Sequence, residues 1–157
     1  MQIHPISKRL KQIGMIKVFF DANILIDISD STRPNYLESK ALLDYLMDNI
    51  EKYVFYTSCD LITTIYYILR QKLTKEDTLA QIKLMNILIK VVEFGNYEIN
   101  EAIELMERNK KYKDLEDTIQ YIMARKERCD YIITNDKGFV SGDVPILNSK
   151  EALEELK

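Results

Sequence analysis

Acidic residues stand where the predicted secondary structure elements begin or end. Asp21 directly follows the apolar, β-rich run Ile16–Phe20, and Asp136 comes just after the similar run Tyr131–Thr134. A third group, Asp114–Asp117, opens a predicted amphipathic helix. The carboxyl ends of parallel strands lie at one edge of an open α/β sheet, which is where ligands bind. We therefore expect the three acidic groups to converge on one site.

Carboxylates gathered at one site are suited to a hard divalent cation. Mg²⁺ and Mn²⁺ bind carboxylate oxygens and retain several waters, so about two to four Asp or Glu side chains are sufficient. Such an ion polarises a phosphodiester and lowers the pKa of the water that attacks it. The only histidine, His4, stands far from the acidic groups in sequence. A serine–histidine or cysteine–histidine mechanism therefore has no well-placed base.

Each acid also has a purely structural explanation, and the residues alone leave both explanations open. Asp21 and Asp136 are residue types that close turns or cap helices. Asp114 and Asp117 have the spacing of an N-cap and an N3 residue, at the positive end of a helix dipole. Three acids within four positions nevertheless exceed what capping requires. Beside Asp136, Thr134 and Asn135 offer hydrogen bonds to a water or a phosphate.

The composition is that of an ordinary globular protein. A chain of 157 residues is most simply one domain, with a core large enough to need no disulfide or structural metal. Hydrophobic residues make up 46% and charged residues 30%, with a formal net charge of −3, so any nucleic acid binding would depend on a local basic patch. The four glycines are too scattered for a glycine-rich phosphate loop.

Cysteine usage and the chain ends predict a cytoplasmic protein. Cys59 and Cys129 lack metal-ligand spacing and are expected to be reduced thiols. No apolar run approaches the ~20 residues of a membrane span, and residues 1–14 lack the apolar core of a signal peptide. Met15 directly precedes the first strand. We therefore predict an N-terminal extension over residues 1–14, either disordered or a mis-called start, and a single domain over residues 15–157.

Apolar periodicity predicts strands that alternate with helices. The predicted strands are Ile16–Phe20, Tyr53–Tyr56, Val91–Phe94, Tyr131–Thr134 and Val144–Leu147. Helices are predicted from about Pro34 to Glu51, around Leu61–Leu69 after a cap at Thr57–Asp60, from Thr74 to about Lys90, from Tyr97 or Asn100 to about Lys110, from Asp114 to Arg128, and over Ser149–Leu156 with Ser149 as its cap. The segment after Asp21 reads as a helix or a loop. This alternation predicts a three-layer α/β/α fold with about five largely parallel strands.

Four segments, in order along the chain, resemble the motifs of the PIN domain, a metal-dependent nuclease fold found in toxins of bacterial and archaeal toxin–antitoxin pairs. They are Phe19–Asp27, Tyr56–Ser58 with Ile65–Arg70, Asp114–Tyr121, and Cys129–Phe139. The resemblance covers roughly Ile16 to Leu147. Each segment is short, but the ordered set is specific.

The resemblance implies roles for particular residues. Asp21, Asp117 and Asp136 correspond to the catalytic, metal-binding acids, and Mg²⁺ or Mn²⁺ is the implied cofactor. Asn23 and Ser58 are neighbours that hold the first acid or its waters.

One position departs from the family pattern, which usually has a glutamate early in the helix after the second strand. Thr64 stands there and supplies no negative charge. Asp60 lies one helical turn earlier and could reach the same cleft. Alternatively, Asp60 only caps the helix, and metal affinity and cleavage are either impaired or rely on Asp114 or Glu116.

The leading functional prediction is a Mg²⁺- or Mn²⁺-dependent ribonuclease. By resemblance it is expected to be the toxin of a toxin–antitoxin pair, neutralised by a small antitoxin, and to form a homodimer. Basic side chains are candidates for contacting the RNA backbone, namely Lys17, Arg70, Lys72, Arg125 and Lys137.

Two other functional classes compete with the ribonuclease. Thr64 favours a degenerate domain of the same fold that binds nucleic acid or protein without cleaving it. A receiver domain for phosphoryl transfer also places acids at strand ends, but it requires a lysine at the end of a late strand. Here the late strands end in Thr134 and Leu147.

Overall fold

Strands and helices alternate along the computed structural model, which describes residues 14–157. The predicted N-terminal extension therefore lies outside the described residues, except for Gly14. The strands are β1 (Ile16–Phe20), β2 (Tyr53–Ser58), β3 (Ile89–Val92), β4 (Tyr131–Ile133) and β5 (Ile146–Leu147). The helices are α1 (Ala22–Asp27), α2 (Tyr36–Asp48), α3 (Cys59–Leu69), α4 (Lys75–Leu88), α5 (Asn96–Arg108), α6 (Leu115–Lys126) and α7 (Ser149–Leu156). None of the helices described here is long and apolar enough to cross a membrane.

The five strands form one sheet in the order β3-β2-β1-β4-β5, and every pairing is parallel. The chain builds β2 and β3 on one side of β1, and later β4 and β5 on the other. The strand order therefore reverses beside β1, which opens a crevice at the carboxyl ends of β1 and β4. The Asp21 N–H extends the ladder there by donating to the Ile133 carbonyl at 3.0 Å. The predicted parallel α/β/α fold is confirmed.

Helices cover both faces of the sheet, because successive residues of a strand point to opposite sides. Val18 and Phe20 of β1 pack in an apolar cluster with residues of α1 to α4 and α7. Phe19 packs on the opposite face with residues of α5 and α6. Burial on both sides explains why β1 is a continuous apolar run instead of an alternating one.

Several predicted boundaries were wrong where pairing in the sheet decides the backbone. Thr57 and Ser58, predicted as part of a cap, continue β2 and pair with β3. β3 itself begins at Ile89 and not at Val91. The segment after Asp21, left open between helix and loop, forms the short helix α1.

Two helix caps illustrate what local sequence can specify. Thr74 accepts a hydrogen bond from the Asp77 N–H at 3.1 Å, as its spacing predicts. α7 is capped by Asn148, which accepts from the Glu151 N–H at 2.8 Å while the Glu151 carboxylate accepts from the Asn148 N–H at 2.9 Å. The prediction that Ser149 caps α7 was wrong, because Ser149 lies one position further in and is buried.

Candidate active site

Asp21, Asp117 and Asp136 lie together at the crevice. Asp21 follows β1, Asp136 lies in the loop after β4, and Asp117 is in the first turn of α6. Burial raises the pKa of Asp117 to about 7, and the charges of Asp21 and Asp136 act in the same direction. Burial also raises the pKa of Asp21, to which the charge of Asp136 contributes. The structure therefore brings together the three acids that the sequence grouped.

The Asp21 carboxylate is held in one orientation. Its Oδ2 atom accepts hydrogen bonds from Asn23 Nδ2 at 2.8 Å and from Thr134 Oγ1 at 2.7 Å. Asp21 is 6% exposed, so these two bonds compensate part of the cost of burying the carboxylate. Asn23 and Thr134, which the sequence placed beside the site, thus act on the most buried of the three acids.

The Asn135 side chain points into the protein and not into the crevice. Its Nδ2 donates to Asp27 Oδ2 at 2.9 Å and to Ser39 Oγ at 3.1 Å. Its Oδ1 accepts from the Ser149 N–H and hydroxyl at 3.0 and 3.1 Å. The Asn135 N–H donates to Asn23 Oδ1 at 3.2 Å. All hydrogen-bonding positions of the amide are used, so Asn135 joins α1, α2 and α7 to the loop of Asp136 instead of binding a water or a phosphate.

An ion pair between the buried Asp27 and Arg33, whose side chain is 32% exposed, supports this amide, and sequence reasoning missed it. Asp27, at the end of α1, is 1% exposed, and its Oδ1 lies 2.5 Å from Arg33 Nε. Asp27 Oδ2 accepts from Asn135, so both carboxylate oxygens have partners. The sequence did contain a signal for this ion pair. Asp27 ends the apolar segment of α1, so it would be buried with that segment and would need a cationic partner.

Asp60 faces the acidic crevice from α3. Its carboxylate, in the first turn of the helix, accepts a short hydrogen bond from the hydroxyl of Ser58, and the Ser58 side chain itself caps no backbone N–H. Burial raises the pKa of Glu116, and the charges of Asp60 and then Asp21 add to this effect. Asp60 and Glu116 therefore stand close to one another, while Thr64, one turn further along α3, contributes no charge.

Asp114 and Asp136 combine structural roles with proximity to the site. Asp114 caps α6 by accepting from the Asp117 N–H at 2.9 Å, as its spacing predicts. Asp136 Oδ1 accepts from the Gly138 N–H at 2.8 Å, and the Asp136 N–H donates to Thr134 Oγ1 at 3.0 Å. The structural and the functional explanations of these two acids are thus compatible.

The donors around the crevice fit a hard divalent cation that keeps most of its water. All of them are oxygens, and the pKa of Asp117 is raised first by burial and then by the surrounding carboxylates, whose repulsion a cation would relieve. Within residues 14–157, no three His, Cys, Asp or Glu side chains are close enough to form a ligand set by themselves. An open site of this kind suits Mg²⁺ or Mn²⁺, which take one or two carboxylates and complete their coordination with water or phosphate. It does not suit an ion that needs a closed protein cage.

Two cavities flank the acids. A cavity of about 410 Å³ opens beside Asp136 between α2 and α7, and a smaller one of about 60 Å³ adjoins Asp117 on the other side. Lys137 lines the first cavity, whereas Lys111 and Lys113 line the second. Lys111 and Lys113 were not among the basic residues that the sequence analysis proposed for contacting RNA.

Of the basic residues predicted to contact RNA, only Lys137 lines one of these two cavities. The Lys17 ammonium donates to the Glu127 carbonyl, and Lys17 stands at the opposite end of β1 from Asp21. Arg125 pairs with Glu101, Lys72 with Asp30, and Arg70 donates to the Leu73 carbonyl. Spacing along the sequence could not reveal these partners.

The raised pKa of Asp117 predicts a pH dependence of stability in the metal-free protein. A folded-state pKa of about 7, above the ordinary 3.8, means that the folded chain holds a proton which the unfolded chain has released. Between about pH 4 and 7 this carboxyl therefore contributes less stability as pH rises. We expect Asp117→Asn to match the native Tm at pH 5 and to exceed it at pH 8. Thermal unfolding in EDTA at pH 5 and pH 8 measures the two Tm values. The same difference in Tm between variant and native protein at both pH values would contradict the prediction.

Comparison with known proteins places the chain among relatives with this architecture. The PIN domain family model matches residues 17–138. Ribonuclease VapC1 of Aquifex aeolicus is 44% identical over 138 residues, which cover 88% of this chain and 94% of that protein.

Solved structures share the fold at low identity. The sarcin-ricin loop cleaving toxin VapC20 of Mycobacterium tuberculosis superposes with a TM-score of 0.64 at 14% identity, covering 80% of this chain and 98% of that one. VapBC2 of Rickettsia felis, solved with a DNA fragment from its promoter, superposes with a TM-score of 0.63 at 14% identity, covering 85% of this chain and 98% of that one. FitAcB of Neisseria gonorrhoeae superposes with a TM-score of 0.60 at 17% identity, covering 84% of this chain and 97% of that one. On the family match and the identity to Ribonuclease VapC1, this chain belongs to the PIN domain family.

Proposed function

We propose that this protein is a divalent-metal-dependent endoribonuclease. The observation that carries the proposal is the convergence of Asp21, Asp117 and Asp136 at the strand-order reversal, where burial and then the neighbouring negative charges raise the pKa values of Asp21 and Asp117. The 44% identity to a protein named a ribonuclease supports RNA as the substrate.

In this proposal Asp21, Asp117 and Asp136 would hold Mg²⁺ or Mn²⁺ together with water molecules, because the three carboxylates are not close enough to form a ligand set by themselves. The bound ion supplies Lewis acidity, which polarises the scissile phosphodiester and lowers the pKa of the attacking water. Asn23 and Thr134 fix the Asp21 carboxylate before the ion arrives.

The charge that Thr64 lacks is supplied in this proposal by two neighbouring acids. Asp60 lies near Glu116, and both face the same crevice. Ser58 holds the Asp60 carboxylate through its hydroxyl. Asp60 and Glu116 therefore add negative charge beside the three ligands without an acid at position 64.

The activity is tested by incubating a mixed RNA pool with the protein in Mn²⁺, Mg²⁺ or EDTA. We expect cleavage in the presence of either ion and none in EDTA. A matched control is Asp48→Asn, which removes an exposed acid at the end of α2 and should leave cleavage unchanged. Cleavage in EDTA would overturn metal dependence, and no cleavage with either ion would overturn the ribonuclease.

The lysines beside the acids are proposed to hold the RNA backbone. Lys111 and Lys113 are exposed and line the cavity next to Asp117. Each phosphate contact on a single strand contributes about 0.7 to the slope of log K against log salt. For Lys111→Ala with Lys113→Ala we therefore expect weaker RNA binding and a slope reduced by about 1.

This prediction is measured by RNA titration at several salt concentrations, in an Asp21→Asn background that prevents cleavage. The control replaces Lys75 and Lys83, two exposed lysines on α4, by alanine and thereby removes the same total charge. An equal loss of RNA affinity in both double variants would show that only net charge matters.

We further propose that the enzyme acts in the cytoplasm as the toxin of a toxin–antitoxin pair, with a small antitoxin partner and a homodimeric state. The similarity in fold to VapC20, a sarcin-ricin loop cleaving toxin, and to VapBC2 supports this assignment. Expression of the chain alone should arrest growth, and co-expression of the protein encoded by the neighbouring reading frame should relieve the arrest. Growth arrest that persists in an Asp21→Asn variant would overturn cleavage as its cause.

A degenerate, non-cleaving PIN domain is the second candidate, because Thr64 replaces the usual glutamate. The two candidates differ in metal binding. Calorimetric titration with Mn²⁺ that gives no binding, together with intact RNA, would favour the degenerate domain.

A further inference from the structure

Gln120 is a buried amide without hydrogen-bond partners. It lies on α6 one turn after Asp117 and is 0% exposed. Its Nε2 and Oε1 are the only buried side-chain polar atoms within residues 14–157 that have no partner. Unpaired amides are rarely tolerated in a protein interior, because burial removes their hydrogen bonds to water. The position therefore requires an explanation other than packing.

The amide lies beside the most buried acid of the crevice. Burial raises the pKa of Asp21, and the hydrogen-bonding groups of Thr134, Ala22 and Gln120 around the carboxylate oppose this rise. The Gln120 amide therefore lies close to Asp21, but neither of its polar atoms has a partner that meets full hydrogen-bond geometry. Asp21 Oδ2 is already engaged by Asn23 and Thr134. A small reorientation in the crevice would give the Gln120 amide full hydrogen bonds.

The neighbours of Gln120 on α6 are apolar core residues. Met123 and Ala124, one turn further along α6 on the same side as Gln120, pack in the cluster on the second face of the sheet. An apolar side chain of similar length at position 120 would fill the same space without an unpaired amide. The fold by itself therefore gains nothing from glutamine here, which points to the site beside it.

We propose that Gln120 is a positioning residue of the active site, whose amide completes its hydrogen bonds with Asp21 and with water in the crevice when a divalent cation is bound. The inference rests on the proposed function, since it assumes that the acids bind such an ion. Gln120 acts through Asp21: it fixes the carboxylate in the orientation that the ion requires.

Opposite changes in stability and in metal affinity test the proposal. Gln120→Leu and Gln120→Met both remove the amide, and the unbranched methionine covers the case in which leucine does not pack. In EDTA we expect either variant to unfold about 2–6 °C higher than the native protein, because no unpaired amide is buried. In calorimetric titration we expect the Kd for Mn²⁺ to rise about 10- to 100-fold, the usual effect of losing a partner of a metal ligand.

Tyr121→Phe is the matched control on the same helix. It removes the hydrogen bond from the Tyr121 hydroxyl to Asp143 Oδ1, which measures 2.6 Å. This variant should lose stability without changing the Kd for Mn²⁺. It therefore separates a general disturbance of α6 from a loss of metal affinity at the active site.

Two results would overturn the inference, and they are distinguishable from each other. If the native protein binds Mn²⁺ and both Gln120 variants bind it equally well, Gln120 has no positioning role while the proposed function stands. If the native protein binds no Mn²⁺, the metal-dependent function fails and the role of Gln120 fails with it. Lower Tm values with unchanged Kd would assign the amide to the fold alone.

Discussion

Substitution of Asp21 by asparagine is expected to lower metal-dependent RNA cleavage by about 100-fold or more, equivalent to about 2.7 kcal/mol of transition-state stabilisation. Asparagine has the shape of aspartate, and its Oδ1 can still accept from Asn23 and Thr134. The change therefore removes the negative charge and leaves the surroundings intact. The measurement is the initial rate of cleavage of a single RNA substrate in Mn²⁺.

The same variant has a second, opposite consequence in the metal-free protein. Asp21 is buried, and its charge raises the pKa of Asp117 and of Glu116. Removing that charge relieves repulsion, so Asp21→Asn should unfold at a higher temperature than the native protein at pH 8 in EDTA. A misfolded variant would lose both cleavage and stability. Loss of cleavage together with increased stability would therefore show that Asp21→Asn removes a group needed for the reaction. Cleavage that continues at the native rate would exclude Asp21 from the reaction.

Replacement of Arg33 by methionine is expected to destabilise the protein by about 3 kcal/mol, since it leaves a buried carboxylate without its cation. The partner is Asp27, which is 1% exposed and also holds Asn135. For a chain of this size the loss corresponds to a decrease in Tm of about 6–12 °C. Thermal unfolding at neutral pH measures the effect.

A double variant tests whether the cause is the unpaired charge. Asp27→Asn in the Arg33→Met background replaces the charge by a neutral amide that still accepts from Asn135. We expect it to restore at least half of the lost Tm. If Arg33→Met alone leaves the Tm unchanged, solvent compensates Asp27 and the ion pair is not required for stability.

The two predictions concern parts of one hydrogen-bonded system. Asp21 is bound by Asn23, Asn23 receives the Asn135 N–H, and the Asn135 amide binds Asp27. Loss of the ion pair should therefore also loosen the loop that carries Asp136. In the Arg33→Met variant we expect weaker Mn²⁺ binding at temperatures where the chain is still folded, and recovery of that binding in the double variant.

The sequence by itself determined the fold and the chemistry of the crevice. Apolar runs and helical periodicity are local properties, so they predicted the strand that precedes Asp21 and the parallel α/β/α architecture. Carboxylates at the ends of parallel strands must meet at one edge, so the convergence of Asp21 and Asp136 followed from the strand assignment. The cap formed by Asp114 was also local, because donor and acceptor are three residues apart.

The tertiary structure alone decided which polar side chains serve the site and which serve the fold. Asn135 and Asp27 are 108 positions apart, and no local pattern indicated that they bind each other. Asp60 and Glu116 face one another from different helices, and Gln120 is unusual only because its neighbours leave its amide unpaired. Residue type fixes what a side chain can bind, but its partner depends on which distant segments the folded chain packs against it.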